Sequence, residues 1–405
     1  MRKLLAYRDV RLLVAGQTLS AFGDWAMFIV MAVWMKTLTG SSARAGLVFL
    51  VLGLGALAGP LGGLLADRVR RRRLMIACDV VLGASVLLLL LVHNRGDAWL
   101  IYVVALLYGA VGMAFYPAQA ALLRVMLPEE LLADANGALS TMRQGLRIVA
   151  PLAGAGLYAA FGGGIVAVFD ALTFAGSALL MSRMRVREEK PEPPEHHFMR
   201  EVSRGVEHVW RTLPLRQITA GVTFALLVTG FTETLIFTVI QHLGHKPSFF
   251  GVLATLQGVG SIAGGLTAAA VLRRLGDVRT VGVGIGMFGL CGLLLAVPSL
   301  PVVTVGFVVA GVGIVWAIVA FNTSIQTRTP LAIQGRVDAA CEVSLSIAQT
   351  TSIGVGAALS TLVDYRILLV VMAAVVTAAA AYLVTRRAAV AAAAPEPVPA
   401  EQLAA

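Results

Sequence analysis

Charge is what this chain most lacks: 13% of its 405 residues are charged, whereas 58% are hydrophobic. So few polar side chains cannot cover a water-facing surface of that size, which excludes a soluble globular fold. Cysteine is scarce too. Cys78, Cys291 and Cys341 fall inside apolar runs without CxxC or Cys/His spacing, so neither a disulfide framework nor a zinc site is indicated, and all three read as packing residues. None of Lys3, Lys36, Lys190 or Lys246 follows a glycine, so the phosphate-holding lysine of a nucleotide-driven pump is missing. The net charge of +10 forms no patch beside aromatic readers, which argues against a nucleic-acid partner. The first apolar run is long enough to span a bilayer and lacks a small-residue cleavage site, so it is expected to stay as a helix.

What the chain does have is long apolar runs, and their length predicts an all-α polytopic membrane protein. Six spans are expected at Leu12–Met35, Ala45–Ala66, Leu74–His93, Trp99–Leu123, Asn136–Phe161 and Ile165–Met181. A polar segment over 182–216 follows, with Lys190-Pro-Glu-Pro-Pro-Glu at its centre and a short amphipathic helix from Phe198 to Trp210. Six more spans are expected at Ile218–Gln241, Phe249–Leu272, Thr280–Val297, Val302–Gln326, Val337–Leu362 and Ile367–Val384. The domain plan is thus one six-helix bundle over 1–181, a cytoplasmic linker over 182–216, a second bundle over 217–387, and a disordered tail over 388–405.

Cationic residues orient these spans. Arg68 to Arg73 holds five arginines, and short loops rich in arginine stay on the cytoplasmic side. Of 32 lysines and arginines, only Lys36, Arg44, Arg95, Lys246 and Arg366 fall in loops assigned outside, and Arg143 and Arg147 fall within a span. Both termini and the linker are therefore expected in the cytoplasm, with the chain in the cytoplasmic membrane. The halves also resemble one another, the mark of a fold built from two repeats. Gly23-Asp24 aligns with Thr232-Glu233, Arg124-Val-Met-Leu-Pro128 with Gln326-Thr-Arg-Thr-Pro330, and Asp134 with Asp338. The loop Arg273-Arg-Leu-Gly-Asp277 echoes the first arginine-rich loop but lacks an acid in the Asp67 place.

The pattern Gly63, three residues, Asp67-Arg68, then basic residues resembles the signature between helices two and three of the major facilitator superfamily, with Arg70 where the family has a second glycine. Four further stretches make the chain similar to bacterial drug and siderophore exporters of the macrolide-efflux and enterobactin-exporter type. They are Gly16-Gln17-Thr-Leu-Ser20-Ala-Phe-Gly23-Asp24-Trp25, Pro128-Glu-Glu-Leu-Leu-Ala-Asp-Ala-Asn136, Phe169-Asp170-Ala-Leu-Thr-Phe174 and Gly335-Arg336-Val337. The helix-five motif typical of drug-proton antiporters ends in Gly-Pro, whereas Ala150-Pro151 stands here. The resemblance implies twelve helices in two six-helix bundles, alternating access, and a cytoplasmic gate formed by Gly63, Asp67, Arg68, Arg71 and Arg72. The alternative, that Arg68 to Arg73 is only an orientation signal, explains the arginines but leaves Asp67 without a purpose.

Acids inside spans are costly, about 3 kcal/mol at the helix centre, so each needs a reason. Asp24 shares a helix face with Gln17, Ser20 and Phe28; Arg143 and Arg147 share one with Asn136 and Ser140; Glu342 shares one with Ser346 and Gln349. With Glu233 and Asp170, the set Asp24, Arg143, Arg147 and Glu342 forms the candidate proton-coupling and substrate group; the alternative is that these charges pair to fix helix packing. Asp24 and Arg147 are expected near each other. Asp79, close to the cytoplasmic edge, reads as a snorkelling or gate-partner residue. Gln17, Ser20, Trp25, Phe28, Gln119, Phe231, Phe237, Trp316, Asn322 and Gln349 are candidates for the substrate wall, and Trp34 for an interfacial belt. The reading is a monomeric secondary transporter that exports an amphipathic small molecule with no cofactor but a proton gradient. A lipid translocase, a proton-symport importer and a non-transporting receptor remain open.

Overall fold

The computed structural model describes residues 6–58, 65, 68–186, 188, 206–329 and 334–385; the side chains of Asp134, Asn136, Ser140, Arg336 and Asp338 lie outside the description, as do Gly63 and Asp67. Among the described residues the chain is helical with no strand. In order, the helices are α1 (Arg8–Thr39), α2 (Ser42–Ala56), α3 (Arg71–Leu87), α4 (Trp99–Met126), α5 (Glu129–Phe161), α6 (Gly163–Ser182), α7 (Leu213–Thr229), α8 (Phe231–His242), α9 (Phe250–Leu275), α10 (Asp277–Leu295), α11 (Leu300–Arg328), α12 (Gln334–Leu359) and α13 (Tyr365–Thr385). Among the described residues nine rods, with α7 and α8 counted as one, are long and apolar enough to cross a membrane. The other three are α2, whose described part is 15 residues, α5, which carries Arg143 and Arg147, and α12, which carries Glu342 and Gln349. Together these rods are consistent with the twelve expected spans.

Two boundaries differ from expectation. The segment read as lying before helix five is its opening: α5 begins at Glu129, directly after Pro128, which cannot continue a helix backwards. The seventh span is broken at Gly230. A Cβ there would lie 2.7 Å from the Ile353 amide nitrogen, so the missing side chain lets α12 press against the break. Of the amphipathic helix expected over Phe198–Trp210, only 206–210 falls among the described residues, and it is helical.

Within the first six spans, α1 packs on α5 and α6, α2 on α4, and α3 on α4 and α6. Within the last six, α11 packs on α9 and α10, and α13 on α10 and α7. Backbones approach closely at matching crossings in the two halves. A Cβ at Gly109 would overlap the Leu52 carbonyl between α4 and α2, and one at Gly311 would overlap the Gln257 carbonyl between α11 and α9. The halves meet through α2 against α12 and α8, and through α5 against α9.

Their junction is closed at the end bearing Lys36. The Lys36 ammonium donates to the Gly40 carbonyl at 2.9 Å, to Ser42 Oγ at 2.9 Å and to Gln241 Oε1 at 3.1 Å. Thr238 donates to Ser42 Oγ at 2.9 Å. Beneath this clasp, Phe49 and Phe237 pack on Phe250, with ring centroids 6.4 and 5.3 Å apart. Trp34, expected at the membrane boundary, is buried instead, tilted against Tyr158 and packed on Gly163 at the start of α6. Trp99 and Trp210 are the exposed tryptophans.

Candidate functional site

Two cavities open between the halves and share Glu233 and Gln349 as a common wall. One, about 380 Å³, is lined by Asp24, Trp25, Phe28, Tyr108, Tyr116 and Arg143. The other, about 370 Å³, is lined by Arg147, Gln257, Phe250, Phe288, Phe307 and Phe321. Local sequence places these groups: Asp24 sits at the middle of α1, and Trp25 and Phe28 follow on the same face, their rings 5.6 Å apart. Acids, arginines and aromatic faces therefore surround a space of small-molecule size.

The arginines do not pair with Asp24. Arg147 lies over the Trp25 ring, 5.2 Å from its centroid, and the acid it interacts with electrostatically is Glu233. Arg143 lies over Tyr116 at 5.5 Å and donates to Gln119 Oε1 at 3.2 Å, while Gln119 donates to Gln17 Oε1 at 3.3 Å. Gln17 and Gln119 are thus buried behind the cavity wall as props for Arg143. Among the described residues the ion pairs are Arg328–Asp277 and Arg211–Glu207, so no intramembrane acid is neutralised by contact.

A second group of acids lies inside the first bundle. Asp170 is fully buried; Tyr108 donates a short hydrogen bond to its Oδ2 and Thr173 donates to Oδ1 at 3.2 Å. A Cβ at Gly23 would overlap both Asp170 Oδ1 and Thr173 Oγ1, which is why the residue before Asp24 must be glycine. Asp79 on α3 is 1% exposed, so it does not snorkel; it faces α6, where the Ser177 hydroxyl lies beside it without hydrogen-bond geometry. Asp24 interacts electrostatically with both Asp170 and Asp79.

Several expected wall residues lie elsewhere. Ser20, Phe231 and Phe237 are buried in helix packing, Phe231 against Gly356. Trp316 donates its indole N–H to Thr267 Oγ1 at 2.9 Å and to the Gly264 carbonyl at 3.1 Å, tying α11 to α9. Glu342 and Asn322 are exposed and line neither cavity; on α12 only the later residues of the polar face, Ser346 and Gln349, reach the space. Residues that the sequence reading missed are Tyr108, Tyr116, Gln257 and Thr350. Tyr108, Gly112 and Tyr116 recur every fourth residue on α4, which was the available signal.

Of the expected gate, Gly63 and Asp67 lie outside the described residues, and Arg68 is exposed. Arg71 and Arg72 open α3, and their backbone N–H groups donate to the Glu188 carboxylate at 2.6 and 2.9 Å. A carboxylate there satisfies orphan amides and opposes the helix dipole. Arg72 also donates from Nε to the Met181 carbonyl at 2.8 Å. In the second half, Arg328 donates to Asp277 Oδ2 at 2.6 Å, joining the end of α11 to the start of α10. Asp277 is therefore the acid of that loop, although it does not occupy the Asp67 place.

The architecture agrees with comparison to known sequences. The family model of the Major Facilitator Superfamily matches residues 13–244 and 218–404. The chain belongs to the Major Facilitator Superfamily. It is a multi-pass membrane transporter by family and fold, and its relatives include efflux proteins. An uncharacterized MFS-type transporter of Bacillus subtilis is 25% identical over 86% of each chain. Macrolide efflux protein A of Streptococcus pyogenes is 26% identical over 56% of each chain. A putative bacilysin exporter of Bacillus subtilis is 23% identical over 88% of this chain and 89% of its own. Among solved structures, a bacterial homologue of the iron transporter ferroportin superposes with a TM-score of 0.70 at 16% identity, covering 94% of this chain and 99% of its own. The POT family transporter PepTSo superposes with a TM-score of 0.76 at 12% identity, covering 93% of this chain and 97% of its own. These structures share the fold.

Proposed function

We propose that this chain is a monomeric secondary transporter of the cytoplasmic membrane, with both termini in the cytoplasm, that exports an amphipathic small molecule in exchange for protons by alternating access. The observation that carries the reading is the pair of cavities at the junction of the halves, where Asp24 and Glu233 face aromatic rings and neither acid is held in an ion pair. An acid free of a fixed cation can exchange a proton for a cationic group of the substrate. The residues 1–181 and 217–387 are the two moving bodies, joined by the linker 182–216; the closed Lys36 end faces outward and the arginine-rich loops face the cytoplasm. No cofactor or nucleic acid takes part. The efflux proteins among its relatives favour export and make a macrolide a sensible first probe.

The test is reconstitution in proteoliposomes with a pH dye inside and a tritiated macrolide. The expected result is macrolide movement that follows an imposed pH gradient, is matched by proton movement, and stops with a protonophore. Macrolide movement indifferent to the protonophore would overturn proton coupling. Macrolide binding without any movement would favour the receptor reading.

A further inference from the structure

A further cavity, of about 310 Å³, shares no residue with the two between the halves. Arg216, Thr219, Ala220, Thr223, Phe224 and Leu227 form one wall, and their spacing puts them on a single face of α7. Ala340, Cys341 and Ser344 of α12 form the other. Phe224 and Leu227 are exposed, so this wall opens toward the bilayer. The same two helices turn different faces to the substrate space, because Val222, Ala225 and Thr229 of α7 and Leu345 and Gln349 of α12 line the cavity that holds Arg147. The groove is thus the membrane side of a helix pair that walls that cavity.

At the arginine-rich end the helical turn 206–210 closes the groove. Val209 is buried in one cluster with Leu215, Ile325 and Val337, and His208 Nε2 lies 3.2 Å from the Arg328 carbonyl oxygen, so this turn is docked on the second bundle. Trp210 and Arg216 line the groove there and are both exposed. Arg211 is paired with Glu207 at 2.7 Å, whereas Arg216 forms no ion pair among the described residues. An indole and an unpaired guanidinium at the end of a span are the groups that meet phospholipid head groups. From Arg216 to Leu227, α7 rises about 16 Å, half of a hydrocarbon core roughly 30 Å thick. The groove is therefore as deep as one leaflet. Its floor of Thr219, Ala220, Ala340 and Ser344 is made of small side chains, which seat a slender chain. A helix about 10 Å across would need roughly 1,200 Å³ over the same length.

We propose that this groove binds one anionic phospholipid from the leaflet that meets the arginine-rich end of the molecule. Its phosphate sits on Arg216 beside Trp210, and one acyl chain lies along α7 toward Leu227. The planar guanidinium matches a phosphate with two parallel hydrogen bonds. A zwitterionic lipid would bring an ammonium to the same arginine and lose part of that attraction. The occupant stands behind α7 and α12, and its binding does not depend on proton coupling or on what the transporter carries.

Native mass spectrometry of the purified full chain in detergent tests this, with phosphatidylglycerol and phosphatidylethanolamine of identical chains offered together. Wild type should retain one phosphatidylglycerol with a preference of roughly fivefold. Arg216→Gln should abolish the preference, whereas Arg211→Gln, which removes a charge already paired, should keep it. No preference in wild type, or equal effects of the two variants, would overturn the site. A phosphatidylglycerol with a photoreactive chain end then locates the occupant. The label should fall on the α7 peptide that carries Phe224 and Leu227, and Ala220→Phe, which fills the floor, should remove it. If Ala220→Phe does not fold, Arg216→Gln, at an exposed position, should weaken the same label. Label spread evenly over the membrane-facing helices would mean ordinary boundary lipid and overturn the proposal. Displacement by equimolar oleate would assign the groove to a free fatty acid, and a doubled protein mass without lipid would assign it to a second copy of the chain; either result overturns the phospholipid.

Discussion

Glu233 and Asp24 occupy matching places in the two halves, yet their surroundings differ. Glu233 forms part of the wall common to both cavities and interacts with Arg147, whereas Asp24 faces one cavity and interacts with two further acids. A cationic substrate gains more from the acid that no arginine engages. Substrate and proton then compete for Asp24, so macrolide binding should strengthen as pH rises while the macrolide amine stays charged. Asp24→Asn should weaken binding by about 2 kcal/mol, roughly 30-fold in Kd, and flatten its pH dependence, whereas Glu233→Gln should keep most of both. Equilibrium binding to detergent-solubilised protein at several pH values measures this. Retention of the wild-type pH dependence in Asp24→Asn would move the coupling role to Glu233.

At the scale of helices, the clasp at the closed end joins α1 and α2 to α8 through one ammonium and three polar side chains. A hydrogen bond to a charged group contributes about 1.5 kcal/mol or more, so Lys36→Met should shift the balance toward opening at that end by roughly tenfold. Spin labels at Arg44 and Lys246, which flank the clasp in the two halves, should then show a longer distance population in pulsed electron resonance. An unchanged distribution would mean that the phenylalanines beneath hold the closure alone. The clasp also shows what sequence could and could not convey. The twelve rods were legible because an apolar run of span length has few alternative fates, and Asp24, Glu233 and Gln349 were legible because a polar residue in such a run is expensive. Lys36 read only as a loop charge, since its partner Gln241 is distant in sequence and its burial depends on how the halves meet. Phe237 and Trp316 were read as wall residues for the opposite reason: periodicity marks a face, and only packing tells whether that face meets a cavity or another helix.

For the molecule as a whole, orientation is the property that charge distribution predicts most directly. The arginines of the loops before α3 and after α6, α9 and α11 gather at one end, and Lys36, Arg44, Arg95, Lys246 and Arg366 mark the other. Keeping the first set in the cytoplasm fixes every span, because each rod reverses the direction of the one before it. The native cysteines suit a labelling test: Cys78, Cys291 and Cys341 are all buried, so an impermeant maleimide should find little background. Gly96, in the turn before α4, and Ser182, at the end of α6, are exposed at opposite ends. A Gly96→Cys variant should be labelled in intact cells, and a Ser182→Cys variant only after the membrane is made permeable. The reverse pattern would invert the molecule, place the Lys36 clasp on the cytoplasmic side, and turn the cavities of this structure toward the outside. Export by proton exchange would then have to start from the opposite conformation, so this measurement sets the direction in which every other test is read.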